Sequence, residues 1–132
     1  MRYNDKNLNP MLMRGPIRDH DLPKSRINEL LALDALKAGT AVAFDVQTMR
    51  TAVALARALG GLGYAADELG TVKRAGAVLR ECSTQPPGSI GLRCVDLAAV
   101  RELVLLLDQQ RAACGFADYA RALLAVGREA RR

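Results

Sequence analysis

Aromatic side chains are scarce in this sequence: they make up 4% of its 132 residues, and there is no tryptophan. Half of the chain is nevertheless apolar, so the core must be built from smaller side chains, above all leucine, valine and alanine. Alanine is the best helix former and a poor strand former, which favours a helical protein. The few aromatics are also not interleaved with basic residues, as a base-stacking groove would require.

Residues that usually carry catalysis are equally few. The single histidine, His20, lies between two aspartates in a polar stretch where we expect no rigid scaffold to hold it. The run Gly60-Gly61-Leu62-Gly63 resembles a phosphate loop only superficially, because it follows a predicted helix and lacks the Lys-Ser/Thr pair. Acidic residues are scattered singly. We therefore predict no enzyme, no metal, no cofactor and no small-molecule substrate.

The three cysteines form no recognisable framework. Their number is odd, no CxxC pair occurs, and no second histidine accompanies Cys82, Cys94 and Cys114. This pattern excludes a disulfide scaffold and a zinc site of the usual spacing, and we expect reduced thiols, at least two of them buried as small hydrophobes. With neither a signal peptide nor an apolar run long enough to span a membrane, the sequence predicts a cytoplasmic protein.

Apolar periodicity, glycines and prolines predict five helices. A polar segment, residues 1–22, precedes them and reads as an extended arm, either poorly ordered or docked through Met11 to Met13 on the bundle or on a partner protomer. A Pro-Pro-Gly loop at residues 83–89 separates two helical hairpins. We predict an all-α antiparallel bundle, two hairpins plus a terminal helix, forming one domain over residues 23–132. The predicted helices are 23–38, 45–59, 66–82, 95–113 and 117–129.

The predicted second helix carries only three charged residues among fifteen. One half of its circumference is apolar, and the other half is mostly small and uncharged. We therefore expect it to lie at the centre of the bundle or between two copies, with Ala54 and Ala58 at a close helix contact in a protein interface. The residues predicted to be buried are Val46, Met49, Ala52, Val53, Leu55, Ala56 and Leu59.

Two other helices raise questions of burial. In the fourth, Leu105 and Leu106 point away from the main apolar face, so a helix or a second subunit must cover them, and both are candidate interface residues. In the first, Asp34 falls inside the predicted apolar arc, where it needs a partner such as Lys37 or a neighbouring arginine. That arc comprises Ile27, Leu30, Leu31, Leu33 and Leu36.

The net charge of +5 is concentrated towards the end of the sequence. From residue 111 onwards there are five arginines and two acidic residues, which contribute +3. A basic end can simply be a solvated helix terminus, since the helix dipole favours cations there. The alternative is a nucleic-acid contact, whose candidate residues are Arg121, Arg128, Arg131 and Arg132.

Two stretches resemble small helical hypothetical proteins encoded in prophages and other mobile elements of proteobacteria. One is residues 39–59, with Asp45, Thr48-Met49, Ala52 and the run 56–59; the other is residues 97–102, followed by Leu106 and Asp108. The likeness covers roughly residues 30–110. It departs at Val46, where that group has an aromatic residue, and at Leu107, where it has a histidine. It implies an accessory protein of a mobile element but transfers no activity.

We therefore expect a non-catalytic protein-binding protein that forms a homodimer and engages an unidentified host or phage protein. Inhibition of a host defence or regulatory complex is one form that such binding could take. The alternative is a small basic regulator that binds nucleic acid through the four arginines near the C-terminus.

Overall fold

The computed structural model describes residues 22–130, and this part of the chain folds into five α-helices and two single-turn 3₁₀ helices. The prediction of an all-α bundle is confirmed. Residues 1–21, which include nearly all of the predicted arm, lie outside the described residues, as do Arg131 and Arg132. The α-helices are α1 (Leu22–Ala38), α2 (Ala43–Gly61), α3 (Leu69–Glu81), α4 (Cys94–Ala113) and α5 (Phe116–Ala130), and the 3₁₀ helices are Ala66–Glu68 and Cys82–Thr84.

Helix α2 is the centre of the bundle, because it packs against each of the other four helices. Its buried residues are the seven that the sequence predicts. Met49, Ala56 and Leu59 are completely buried. The helix begins two residues before its predicted start, where the carboxylate of Asp45 accepts a hydrogen bond from the backbone N–H of Val42 at 2.9 Å. The expectation of a central helix is therefore confirmed.

The loop after α1 and the loop before α4 are joined by backbone hydrogen bonds. The N–H of Ala41 donates to the carbonyl of Ile90 at 3.0 Å, and the N–H of Ile90 donates back at 3.3 Å. Gly91 allows this approach, since a Cβ atom there would lie 2.8 Å from the Cα atom of Gly39. Gly39 itself has φ +76°, a conformation that suits glycine at the end of a helix. The contact ties the short connection between α1 and α2 to the long connection between α3 and α4.

Helix α1 is rotated away from its predicted orientation. Ala32 and Leu36 are buried, as is Glu29, whereas Ile27 and Leu31 face outwards. Leu30 is exposed and Leu33 half-buried, so the prediction that all five apolar residues of the arc face the core is wrong. Asp34 is exposed and forms no ion pair with another described residue, so the expected partner for a buried Asp34 is also wrong.

Candidate functional site

A buried ion pair holds α1 in this rotation. Glu29 of α1 accepts two hydrogen bonds from the guanidinium of Arg111 in α4, from Nη1 to Oε1 at 2.8 Å and from Nη2 to Oε2 at 2.7 Å. The side chains of Arg111 and Glu29 are only 4% and 6% exposed. The Nε–H of Arg111 also donates to the hydroxyl of Tyr119 at 3.4 Å, and its guanidinium carbon lies 6.0 Å from the centre of the tyrosine ring.

The free-energy cost of breaking this ion pair explains why α1 does not adopt the rotation that its apolar pattern predicts. Burial alone lowers the pKa of Arg111, but the two hydrogen bonds and the charge of Glu29 outweigh it and raise the pKa above its ordinary value. Removing one partner of such a pair leaves an uncompensated buried charge, which costs about 3–5 kcal/mol. Turning Ile27 and Leu31 inwards would move Glu29 to the surface and incur this cost. The rotation therefore exposes apolar side chains instead.

Helix α1 consequently turns three large apolar side chains away from the core. Ile27, Leu30 and Leu31 are 55%, 41% and 59% exposed. On a helix with 3.6 residues per turn, Ile27 lies about 160° from Glu29 and about 180° from Leu36. Three large apolar side chains are thus grouped on one exposed face of the helix.

One basic and one acidic residue lie at the two ends of this apolar patch along the helix axis. Lys24 lies nearly one turn before Ile27, and Asp34 nearly one turn after Leu31; both are exposed. Neither forms an ion pair with another residue in the described part of the chain. We call the set Lys24, Ile27, Leu30, Leu31 and Asp34 the outer face of α1.

The predicted interface residues divide between surface and core. Ala54 and Ala58 on α2 are half-buried, and Ala58 packs against the core. Leu105 is 62% exposed, but Leu106 is only 5% exposed and belongs to the core. Leu106 is therefore covered within the chain and offers no surface to a partner, which corrects its assignment as an interface residue.

The basic C-terminal region carries less surface charge than its sequence suggests. Arg111, one of its five arginines, is buried against Glu29. Arg121 is exposed and forms an ion pair with Asp118 at 3.5 Å. Arg128 is exposed, whereas Arg131 and Arg132 lie outside the described residues. The described structure thus supplies one unpaired arginine, Arg128, for the predicted nucleic-acid contact.

A second, partly buried polar cluster, which the sequence does not reveal, joins α4 and α5 to the end of α2 and the connection that follows it. The amide nitrogen of Gln110 donates to the backbone carbonyls of Ala56 and Tyr64, both at 3.0 Å. The hydroxyl of Tyr64 donates to the carboxylate of Asp118. This hydrogen bond, reinforced by burial, raises the pKa of Tyr64. The cluster thereby links the start of α5 to the connection that follows α2.

The cysteines behave as expected from the sequence, with Cys82 and Cys114 buried and Cys94 exposed. Cys82 lines a cavity of about 570 Å³ between the two joined loops, together with Glu81 and Asp96. Burial raises the pKa of its thiol, and the two carboxylates raise it further. Burial also raises the pKa of Cys114. Because the thiolate is the reactive form, both cysteines are poor nucleophiles.

Within residues 22–130, no three histidine, cysteine or acidic side chains are grouped as a metal site would need. No helix in the same range has the length and apolar character needed to cross a membrane. Comparison with known proteins finds no family model, curated protein or solved structure that matches this chain. The resemblance to proteins of mobile elements therefore stays a prediction.

Proposed function

We propose that this protein is a non-catalytic protein-binding protein, and that its binding surface is the outer face of α1. The observation that supports this most strongly is the inverted burial in one helix: Ile27 and Leu31 are exposed while Glu29 is buried. Exposed apolar surface of this kind is maintained at a cost to solubility unless a partner covers it.

The partner that best fits this face is a second copy of the chain. A two-fold axis near the level of Glu29 would set two α1 helices antiparallel, so that Ile27 meets Leu31 of the second copy. The same register sets Lys24 opposite Asp34 of the second copy, and the symmetry repeats both contacts. The face is thus complementary to itself in both apolar character and charge.

The size of the patch sets the strength of this homodimer. Completely burying a large aliphatic side chain contributes about 1.5–3 kcal/mol, and six half-exposed side chains therefore contribute roughly 5–9 kcal/mol. Association itself costs about 4–15 kcal/mol, so the net gain is small. We expect a weak dimer whose population rises with protein concentration between the micromolar and millimolar ranges.

A charge-swap cycle tests the dimer. Lys24→Glu and Asp34→Lys each place like charges opposite one another and should weaken self-association, whereas the double variant restores the opposite pairing and should recover it. Sedimentation velocity over a concentration series measures this directly. Ile27→Glu should abolish the dimer, and Leu105→Glu, at an exposed leucine outside α1, is the matched control.

Three results would overturn the proposal. The first is a wild-type chain that stays monomeric at millimolar concentration. The second is a dimer that dissociates in Leu105→Glu but not in Ile27→Glu. The third is a monomer that Ile27→Glu destabilises, because this would indicate that another part of the chain, such as residues 11–13, covers the face.

The biological setting in this proposal rests on the sequence resemblance alone. In that setting the dimer is an accessory protein of a mobile element, and it binds a host or phage protein to inhibit a defence or regulatory complex. The alternative function, nucleic-acid binding through Arg121, Arg128, Arg131 and Arg132, gains no support from the one unpaired arginine that the structure describes there.

A further inference from the structure

Three arginines that lie outside the basic C-terminal region line one groove between α2 and α3. Arg50 and Arg57 of α2 and Arg80 of α3 line a groove of about 160 Å³, whose remaining lining residues are Val53, Ala54 and Gly76. At the bottom of this groove α2 and α3 approach each other closely. A Cβ atom on Gly76 would lie 3.6 Å from Cγ1 of Val53. We call these six residues the basic groove.

The register between the two helices places cations at both ends of the groove. Because α2 and α3 form a hairpin in which Val53 lies beside Gly76, Arg50 and Arg80 share one end. Arg57 and the exposed Lys73 are each about one turn from this contact in the other direction. The two ends are therefore about 10.5 Å apart, the rise of seven helical residues.

The basic groove contains no neutralising carboxylate. Its lining includes no acidic residue, and Arg50, Arg57 and Arg80 form no ion pair with any other residue in the range 22–130. By contrast, Arg26, Arg74 and Arg121 on other surfaces pair with Asp108, Glu102 and Asp118. Among the acidic side chains of the hairpin, Asp45 accepts a hydrogen bond from the backbone N–H of Val42 at 2.9 Å, and Glu68 accepts one from Thr71 at 3.1 Å. Within residues 22–130, no carboxylate competes with an external anion for these three guanidinium groups.

We propose that the basic groove binds the phosphate backbone of a double-stranded nucleic acid. Every phosphate of both strands carries a negative charge, so one duplex can supply anionic partners to the arginines at both ends of the groove. Arginine suits phosphate because its planar group can donate two parallel hydrogen bonds. No aromatic side chain lines the groove, so it lacks the stacking platform that single-strand binding uses. Contacts of this kind position a duplex without reading its sequence.

Two triple variants with the same loss of charge test this site. One is Arg50→Ala, Arg57→Ala and Arg80→Ala; the control is Arg121→Ala, Arg128→Ala and Arg131→Ala, which removes arginines of the C-terminal alternative. Fluorescence anisotropy with a labelled random-sequence duplex, repeated at several salt concentrations, measures the affinity and its salt dependence. Each lost phosphate contact lowers the slope of log affinity against log salt by about one. We expect the groove variant to lose about three units of slope and the control to keep the wild-type slope.

Several outcomes would contradict the proposal: no duplex binding by the wild type at low salt, equal loss in both triple variants, tighter binding of a single strand, or equally tight binding of anionic lipid vesicles.

Circular dichroism melting checks that the groove variant is folded. Should the alanine variant be unfolded, Arg→Gln substitutions at the same three positions keep the side-chain length and repeat the test. The charge swaps in α1 serve to separate the two proposals, because they should alter self-association without altering the salt slope.

Discussion

Helices α1 and α2 are neighbours in the chain and pack against each other, yet their sequences predict burial with very different success. All seven predicted core residues of α2 are buried, whereas α1 exposes Ile27, Leu30 and Leu31 and buries Glu29. In α2, no charged residue competes for the interior. In α1, one carboxylate has a buried partner, Arg111, and this single interaction outweighs three aliphatic side chains. Apolar periodicity therefore predicts which side of a helix faces the core only where no buried ion pair favours a different rotation of that helix.

The largest expected effect is at the ion pair that sets α1 apart from α2. Glu29→Ala should lower the free energy of unfolding by about 3–5 kcal/mol, because Arg111 would remain buried without a partner. Chemical denaturation followed by circular dichroism measures the loss. Replacing both Glu29 and Arg111 with apolar residues of similar volume should restore most of the stability. A loss below about 1 kcal/mol in Glu29→Ala would indicate that the ion pair does not fix the rotation of α1.

Leucines on the two faces of α1 provide the next comparison. Leu36 is completely buried and Leu31 is 59% exposed. Leu36→Ala should cost about 2–5 kcal/mol, because it leaves a cavity in the core. Leu31→Ala should change the free energy of unfolding by no more than about 0.5 kcal/mol at protein concentrations where the chain is monomeric. Equal costs in thermal or chemical denaturation would mean that the helix has its apolar arc inwards after all.

Two alanines of α2 test the helix on which prediction succeeded. Ala58 packs against the core, whereas Ala54 lines the open basic groove. Ala58→Leu should overpack the interior and lower the free energy of unfolding by about 1–3 kcal/mol. Ala54→Leu has room in the groove and should cost less than Ala58→Leu in the same denaturation assay. The reverse order would show that the tight side of α2 is the side facing α3.

The smallest expected effect is at Asp34, the acidic residue that the sequence places in the core. Since it is exposed and has no ion-pair partner within residues 22–130, Asp34→Ala should change stability by no more than about 0.5 kcal/mol. Thermal melting of dilute protein, with Glu29→Ala as the reference, checks the contrast. A loss that approaches the loss of Glu29→Ala would mean that both carboxylates are paired in the interior.

The bundle was largely predictable because its signals are local. Gly39, the glycines after α2 and the Pro-Pro-Gly loop mark the ends of helices, and every predicted helix is present with its bounds shifted by a few residues at most. The candidate surfaces were not predictable in the same way. Leu105 and Leu106 are adjacent in sequence, but only Leu106 is covered. Arg111 looks like one more basic residue until its distance to Glu29 is known.

The sequence by itself determined that the chain is helical, where its helices lie to within a few residues, and that α2 is central, because these follow from helix propensity, capping residues and the scarcity of charge on α2. Only the tertiary structure decided which way α1 faces and which arginines share a groove. Glu29 and Arg111 are 82 residues apart, and Arg50 and Arg80 line the same groove only because α2 and α3 pack as neighbours. An ion pair forms between residues that are close in space, whatever their separation along the chain. The pattern of residues in one helix therefore does not show which charged residue of another helix will lie beside it.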